Sequence, residues 1–122
     1  MEELLRAGTA VRFRVTGSSM QPSILSGDVV TAIPRPTHRI RRGQVICFRH
    51  EDEMRVHRVV SSGPAGLRAM GDAANEFAEI IRPQDVLGVI TLVEREGRRV
   101  NFNPPFRRLT SVLRGLFRKM QN

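Results

Sequence analysis

Glycine and proline punctuate this chain about once in seven residues, 10 Gly and 7 Pro in all, a spacing that leaves room for strands and turns and little for long helices. Between these breaks the side chains alternate. Val11, Phe13 and Val15 alternate with Arg12, Arg14 and Thr16, the period of a half-buried strand. The same reading predicts strands over residues 28–33, 44–49, 54–61, 67–70, 86–94 and 98–102, parted by turns at 17–23, 26–28, 42–43, 50–53 and 63–66. Residues 2–6 have room for a turn or two of helix, and residues 73–85 read as irregular with room for a helical turn. After Asn103-Pro104-Pro105 the period changes. Phe106, Leu109, Val112, Leu113, Leu116, Phe117 and Met120 recur at spacings of three and four, the mark of an amphipathic helix. The expected architecture is an all-β core over residues 1–103 followed by a C-terminal amphipathic α-helix over residues 104–122.

Composition narrows the function. Hydrophobic residues make up 40%, enough for a modest core and too many for a disordered chain. With no Trp or Tyr, that core is aliphatic plus 6 Phe. A single cysteine, Cys47, excludes a disulfide framework and a cysteine-based zinc site, and His38, His50 and His57 are too scattered to suggest a structural metal. No stretch reaches the roughly 18 consecutive apolar residues of a membrane span. The acidic start Met1-Glu2-Glu3 is unlike a secretory signal, so the expected location is cytoplasmic.

Charge is informative by position. All 12 acidic side chains lie in residues 1–96, where they nearly balance the basic ones. Residues 97–122 carry Arg98, Arg99, Arg107, Arg108, Arg114, Arg118 and Lys119 and no acid, so most of the net +8 sits there. This segment has two readings: its apolar stripe packs on the core, or it lies on an anionic membrane with its cations at the headgroups. Nucleic acid is the poorer partner, because the strands carry no aromatic ladder for base stacking and the positive charge is confined to one end.

The segment richest in chemistry is Arg14-Val15-Thr16-Gly17-Ser18-Ser19-Met20-Gln21-Pro22, with Gly27-Asp28-Val29-Val30 behind it. A serine on a sharp turn after a strand projects its hydroxyl off the sheet and keeps its own N–H free, as a nucleophile and its oxyanion require. Small-residue turns are common, so this turn alone carries little weight. Three boxes in order carry more. Gly17-Ser18-Ser19-Met20 followed by Gly27-Asp28-Val29-Val30 resembles the superfamily of LexA-type self-cleaving repressors and type I signal peptidases. Met54-Arg55-Val56-His57-Arg58-Val59-Val60 resembles its base-bearing strand, and Gly71-Asp72-Ala73-Ala74-Asn75 its downstream G-D-x-N box. The resemblance spans about residues 9–95.

The resemblance implies a coiled β-sheet barrel and a serine endopeptidase, signal peptidase I-like, that hydrolyses a peptide or protein substrate through an acyl-enzyme without a cofactor. It implies Ser19 as nucleophile, directly before Met20, with Ser18 a neighbouring turn hydroxyl. The superfamily uses either lysine or histidine as general base. The only lysine in this chain is Lys119, in the basic C-terminal segment, and His57 stands where the base belongs. An imidazole with an ordinary pKa of ~6.5 accepts a hydroxyl proton near neutral pH. Asp72 is implied as the group that orients the ring, and reads equally well as a turn-capping aspartate. Glu76, Glu79 and Asp85 follow, out of register with the further acid of histidine-type relatives.

Signal peptidases usually carry a serine two residues before the nucleophile. Here that position is Gly17, so the oxyanion hole falls to the backbone N–H groups of Ser18 and Ser19. This departure leaves a second reading, a catalytically idle peptide- or membrane-binding module on the same fold. Gly27 and Asp28 read as turn residues, Cys47 as a small core side chain, and His38 and His50 as solvent-facing.

Overall fold

Alternation in sequence becomes alternation in burial. Along Val11–Arg14 the first valine is buried, Phe13 half-buried, and Arg12 and Arg14 exposed. The computed structural model describes residues 1–103, so the expected helix over residues 104–122 lies outside them. A short helix, α1 (Glu2–Arg6), precedes β1 (Val11–Arg14), β2 (Val29–Ile33), β3 (Val45–His50), β4 (Glu53–Gly63), β5 (Gly66–Met70), β6 (Glu79–Ile81), β7 (Val86–Arg95) and β8 (Arg98–Arg99). One antiparallel sheet takes them in the order β1-β2-β7-β3-β4-β5-β6, with β8 folded back on β7. Register shifts at Thr31/Ala32, Cys47/Phe48 and Val59/Ser61 bend individual strands and help the sheet coil into a half-barrel. The all-β expectation holds.

Coiling lets the sheet cover both of its own faces. On the central strand β3, Val45, Ile46, Cys47 and Phe48 are all buried in succession. Val45 and Cys47 pack with Met20, Ile24, Val30 and Val93. Ile46 and Phe48 face the other way, onto Val59, Leu67, Ile81 and Val89. Cys47 is sealed in, and burial pushes its thiol pKa up to about 12, so it serves as a small apolar side chain.

Two expectations needed correction. Residues 73–85, read as irregular with room for a helical turn, do contain a 3₁₀ turn at Pro83–Asp85 but also the strand β6. Three residues are too short to display a period. β6 exists because it pairs with β5, Ala69 opposite Glu79 and Leu67 opposite Ile81. The strand expected over 98–102 shrinks to Arg98–Arg99. Among the described residues no helix is long and apolar enough to cross a membrane.

Candidate active site

The serine turn is clasped from behind. Val15 N–H donates to the Asp28 carbonyl and Gly27 N–H to the Val15 carbonyl, both at 2.8 Å. Gly17 has φ +89°, a conformation that a serine would adopt only under strain, which accounts for the missing hydroxyl at this position. Ser18 is exposed and Ser19 half-buried. Met20, 2% exposed, pins the turn to the core, and its carbonyl accepts from the N–H groups of Ser23 and Ile24 at 2.9 and 3.0 Å. Among the described residues neither the Ser18 nor the Ser19 N–H enters a backbone hydrogen bond, so both remain open to an oxyanion.

Asp28 is structural, at 2% exposure. Its carboxylate accepts from Leu25 N–H at 2.8 Å and from Arg95 Nε and Nη2 at 2.9 and 2.8 Å. Burial alone would raise its pKa, but the Arg95 guanidinium and the Leu25 N–H together hold it below the usual value. Arg95 escapes a sequence reading, since a basic side chain at a strand end is ordinarily solvated.

His57 projects from β4, opposite Ile46 of β3, and is 7% exposed. Its ring leans on Phe48, centroids 5.4 Å apart at 60°. Burial lowers its pKa; the Glu79 and Glu76 carboxylates push back, Arg55 adds to the lowering, and Asp72 contributes least. The net shift is downward, which favours the neutral, proton-accepting imidazole near pH 7. Nδ1 lies 3.5 Å from Glu79 Oε1 and Nε2 3.8 Å from Glu76 Oε1. Nδ1 is buried and has no hydrogen-bond partner among the described residues.

The third box docks under the serine. Ala73 N–H donates to the Ser19 carbonyl at 2.9 Å. A Cβ on Gly71 would lie 2.4 Å from that same oxygen and 2.8 Å from the Glu76 side chain, so the approach demands glycine. The expected ring-orienting carboxylate, Asp72, is buried and gripped bidentately by Arg58, Nε at 2.9 Å and Nη2 at 2.8 Å. Arg58 also donates to the Gly43 and Phe102 carbonyls and to Asn103 Oδ1. It follows His57 on the strand and so points to the other face, carrying Asp72 with it. The carboxylates facing the ring nitrogens are Glu79 and Glu76. His50, expected in solvent, is half-buried and approaches Glu79 Oε2 at 3.8 Å, whereas His38 is exposed.

Ser18, Ser19, His57, Glu76 and Glu79 line one open pocket of about 930 Å³, whose apolar walls include Phe13, Met54 and Phe77. Among the described residues no group of three or more His, Cys, Asp or Glu side chains could hold a metal ion. A family model described as Peptidase S24-like matches residues 1–89. The chain belongs to the Peptidase S24-like family. The match takes in all three boxes and identifies the domain of the LexA and signal-peptidase superfamily. No curated protein matches the chain. Within this Peptidase S24-like domain, then, a half-buried serine and a buried histidine share one pocket, two glutamates face the histidine, and the G-D box anchors the serine backbone.

Proposed function

We propose that this Peptidase S24-like chain is a serine endopeptidase, signal peptidase I-like, working through Ser19 and His57. Neutral His57 takes the Ser19 hydroxyl proton as the oxygen attacks a peptide carbonyl, and the Ser18 and Ser19 N–H groups receive the oxyanion. The imidazolium then protonates the leaving amine. Water, deprotonated by the same ring, releases the acyl group. The observation that carries the reading is the shared pocket of Ser19 and His57, braced by the Ala73–Ser19 hydrogen bond. Asp72 serves this site through Arg58, as a brace for the box.

The substrate class is a peptide or protein segment, laid in extended form along the pocket. The cations of residues 97–122 support reversible contact with an anionic membrane surface from the cytoplasmic side. The test is hydrolysis of a denatured peptide mixture, followed by mass spectrometry of new termini. Wild type should generate them, and Ser19→Ala and His57→Ala should not. Equal cleavage by all three proteins would refute the reading.

A further inference from the structure

Three acids stand near the imidazole, and their surroundings differ. Asp72 is bound to Arg58, and neither side chain lines the pocket. Glu76 lies in the connection before β6, on the Nε2 side of the ring. Glu79 sits on β6, whose position is set by the ladder to β5. Its Oε1 is 3.5 Å from His57 Nδ1, and its Oε2 is 3.8 Å from Nδ1 of His50. One carboxylate thus faces two imidazoles, one from β4 and one from the end of β3.

The nitrogen that Glu79 faces is the one with no other recourse. His57 Nδ1 is buried, without water access and without a hydrogen-bond partner among the described residues. A neutral imidazole carries its proton on one nitrogen and its lone pair on the other. If the proton sits on Nε2, the lone pair is trapped on buried Nδ1 and the ring cannot serve a serine. A carboxylate at Nδ1 reverses that preference, because it accepts from Nδ1–H and leaves the lone pair on Nε2. The gap of 3.5 Å is slightly longer than a hydrogen bond, and the glutamate is about one-third exposed on an edge strand, so it has freedom to close when a peptide fills the pocket.

We propose that Glu79 is the positioning residue of this site, holding the His57 ring and its Nδ1 proton so that Nε2 works as the base. The proposal rests on the Ser19–His57 reading above. His50 stands 3.8 Å from the other oxygen of Glu79, on the side away from the His57 contact. It also explains how the pocket works although the box aspartate is engaged elsewhere: the orienting acid comes from the next strand.

The experiment uses the full chain as wild type, Glu79→Gln and Glu79→Asp, with two readouts. The first is the rate of labelling by a fluorophosphonate as a function of pH. The second is titration of the His57 ring by NMR. The charges facing the ring are Glu79 from β6, Glu76 and Asp72 from the β5–β6 connection, and Arg55 from β4. His50 faces Glu79 from β3. Glu79→Gln removes one of these charges and leaves the rest.

Because Glu79 raises the His57 pKa against burial, its loss should move the His57 midpoint and the acid limb of labelling to lower pH. The labelling plateau should fall roughly 10- to 100-fold as the wrong tautomer gains population, and Glu79→Asp should recover much of it. A purely structural role would lower the rate without shifting the titration. A Glu79→Gln plateau within about twofold of wild type, with an unmoved His57 midpoint, overturns the proposal. If wild type takes no label at Ser19, the endopeptidase reading fails instead. The NMR titration then judges the Glu79–His57 pair by itself: a downward shift supports it and an unmoved midpoint overturns it.

Discussion

Replacing Gly71 with alanine should disable the serine while leaving the fold standing. The added Cβ would lie 2.4 Å from the Ser19 carbonyl oxygen, against an ordinary carbon–oxygen approach of roughly 3.3–3.6 Å. The box and the serine turn must therefore part by about 1 Å. Such a movement breaks or lengthens the 2.9 Å bond from Ala73 N–H to that oxygen. A misplacement of about 1 Å in a catalytic group costs on the order of 100-fold in rate. Overpacking a tight contact costs about 1–3 kcal/mol in stability, and the neighbouring Glu76 side chain can swing aside. Fluorophosphonate labelling of Gly71→Ala, alongside urea denaturation, measures both effects. The expected result is a rate about 100-fold down with the unfolding transition shifted by no more than about 3 kcal/mol. Labelling at the wild-type rate in a folded Gly71→Ala protein would refute the argument that this glycine seats the nucleophile.

Three further outcomes follow from the same contacts. Peptide hydrolysis should rise with pH as His57 loses its proton, with the midpoint below the ordinary imidazole value of about 6.5 because burial disfavours the cation, and Lys119→Ala should leave the profile unchanged. Arg95→Ala should destabilise the domain by about 2–3 kcal/mol in urea at pH 7, reduced from the value for a fully buried pair because Arg95 is partly exposed. Asp28 has a lowered folded pKa, so its contribution is full above its unfolded value and disappears as pH falls through the folded one; the gap between wild type and Arg95→Ala should close in acid. Finally, the full chain should co-sediment with anionic vesicles at low salt and be released at high salt, while a full-length variant with Arg107, Arg108, Arg114, Arg118 and Lys119 changed to glutamine should stay in the supernatant at both. A wild type that ignores the vesicles would remove the membrane reading.

Strand alternation and turn chemistry made most of the sheet legible, because β1, β2, β3, β4 and β7 each display a period of two or a long apolar run between turn residues. β6 was not legible. Its three residues form a strand only through pairing with β5, and without β6 nothing signals that Glu79 reaches His57. The serine, the histidine and the G-D box could be read from their motifs. What the motifs could not convey is which face each acid occupies. Asp72 follows Arg58 to one side, and that pairing depends on a 14-residue separation closed by the β4–β5 hairpin. Arg58 and Arg95 look like solvated cations in the sequence, and only the fold reveals them as the braces of Asp72 and Asp28.

The central claim is that Ser19 is a nucleophile activated by His57. Mapping a fluorophosphonate adduct by peptide mass spectrometry tests it most directly. A single adduct on Ser19 is expected in wild type and in Ser18→Ala, absent from Ser19→Ala and strongly reduced in His57→Ala. No adduct on the folded wild-type chain, or an adduct on Ser18 that survives Ser19→Ala, would contradict it.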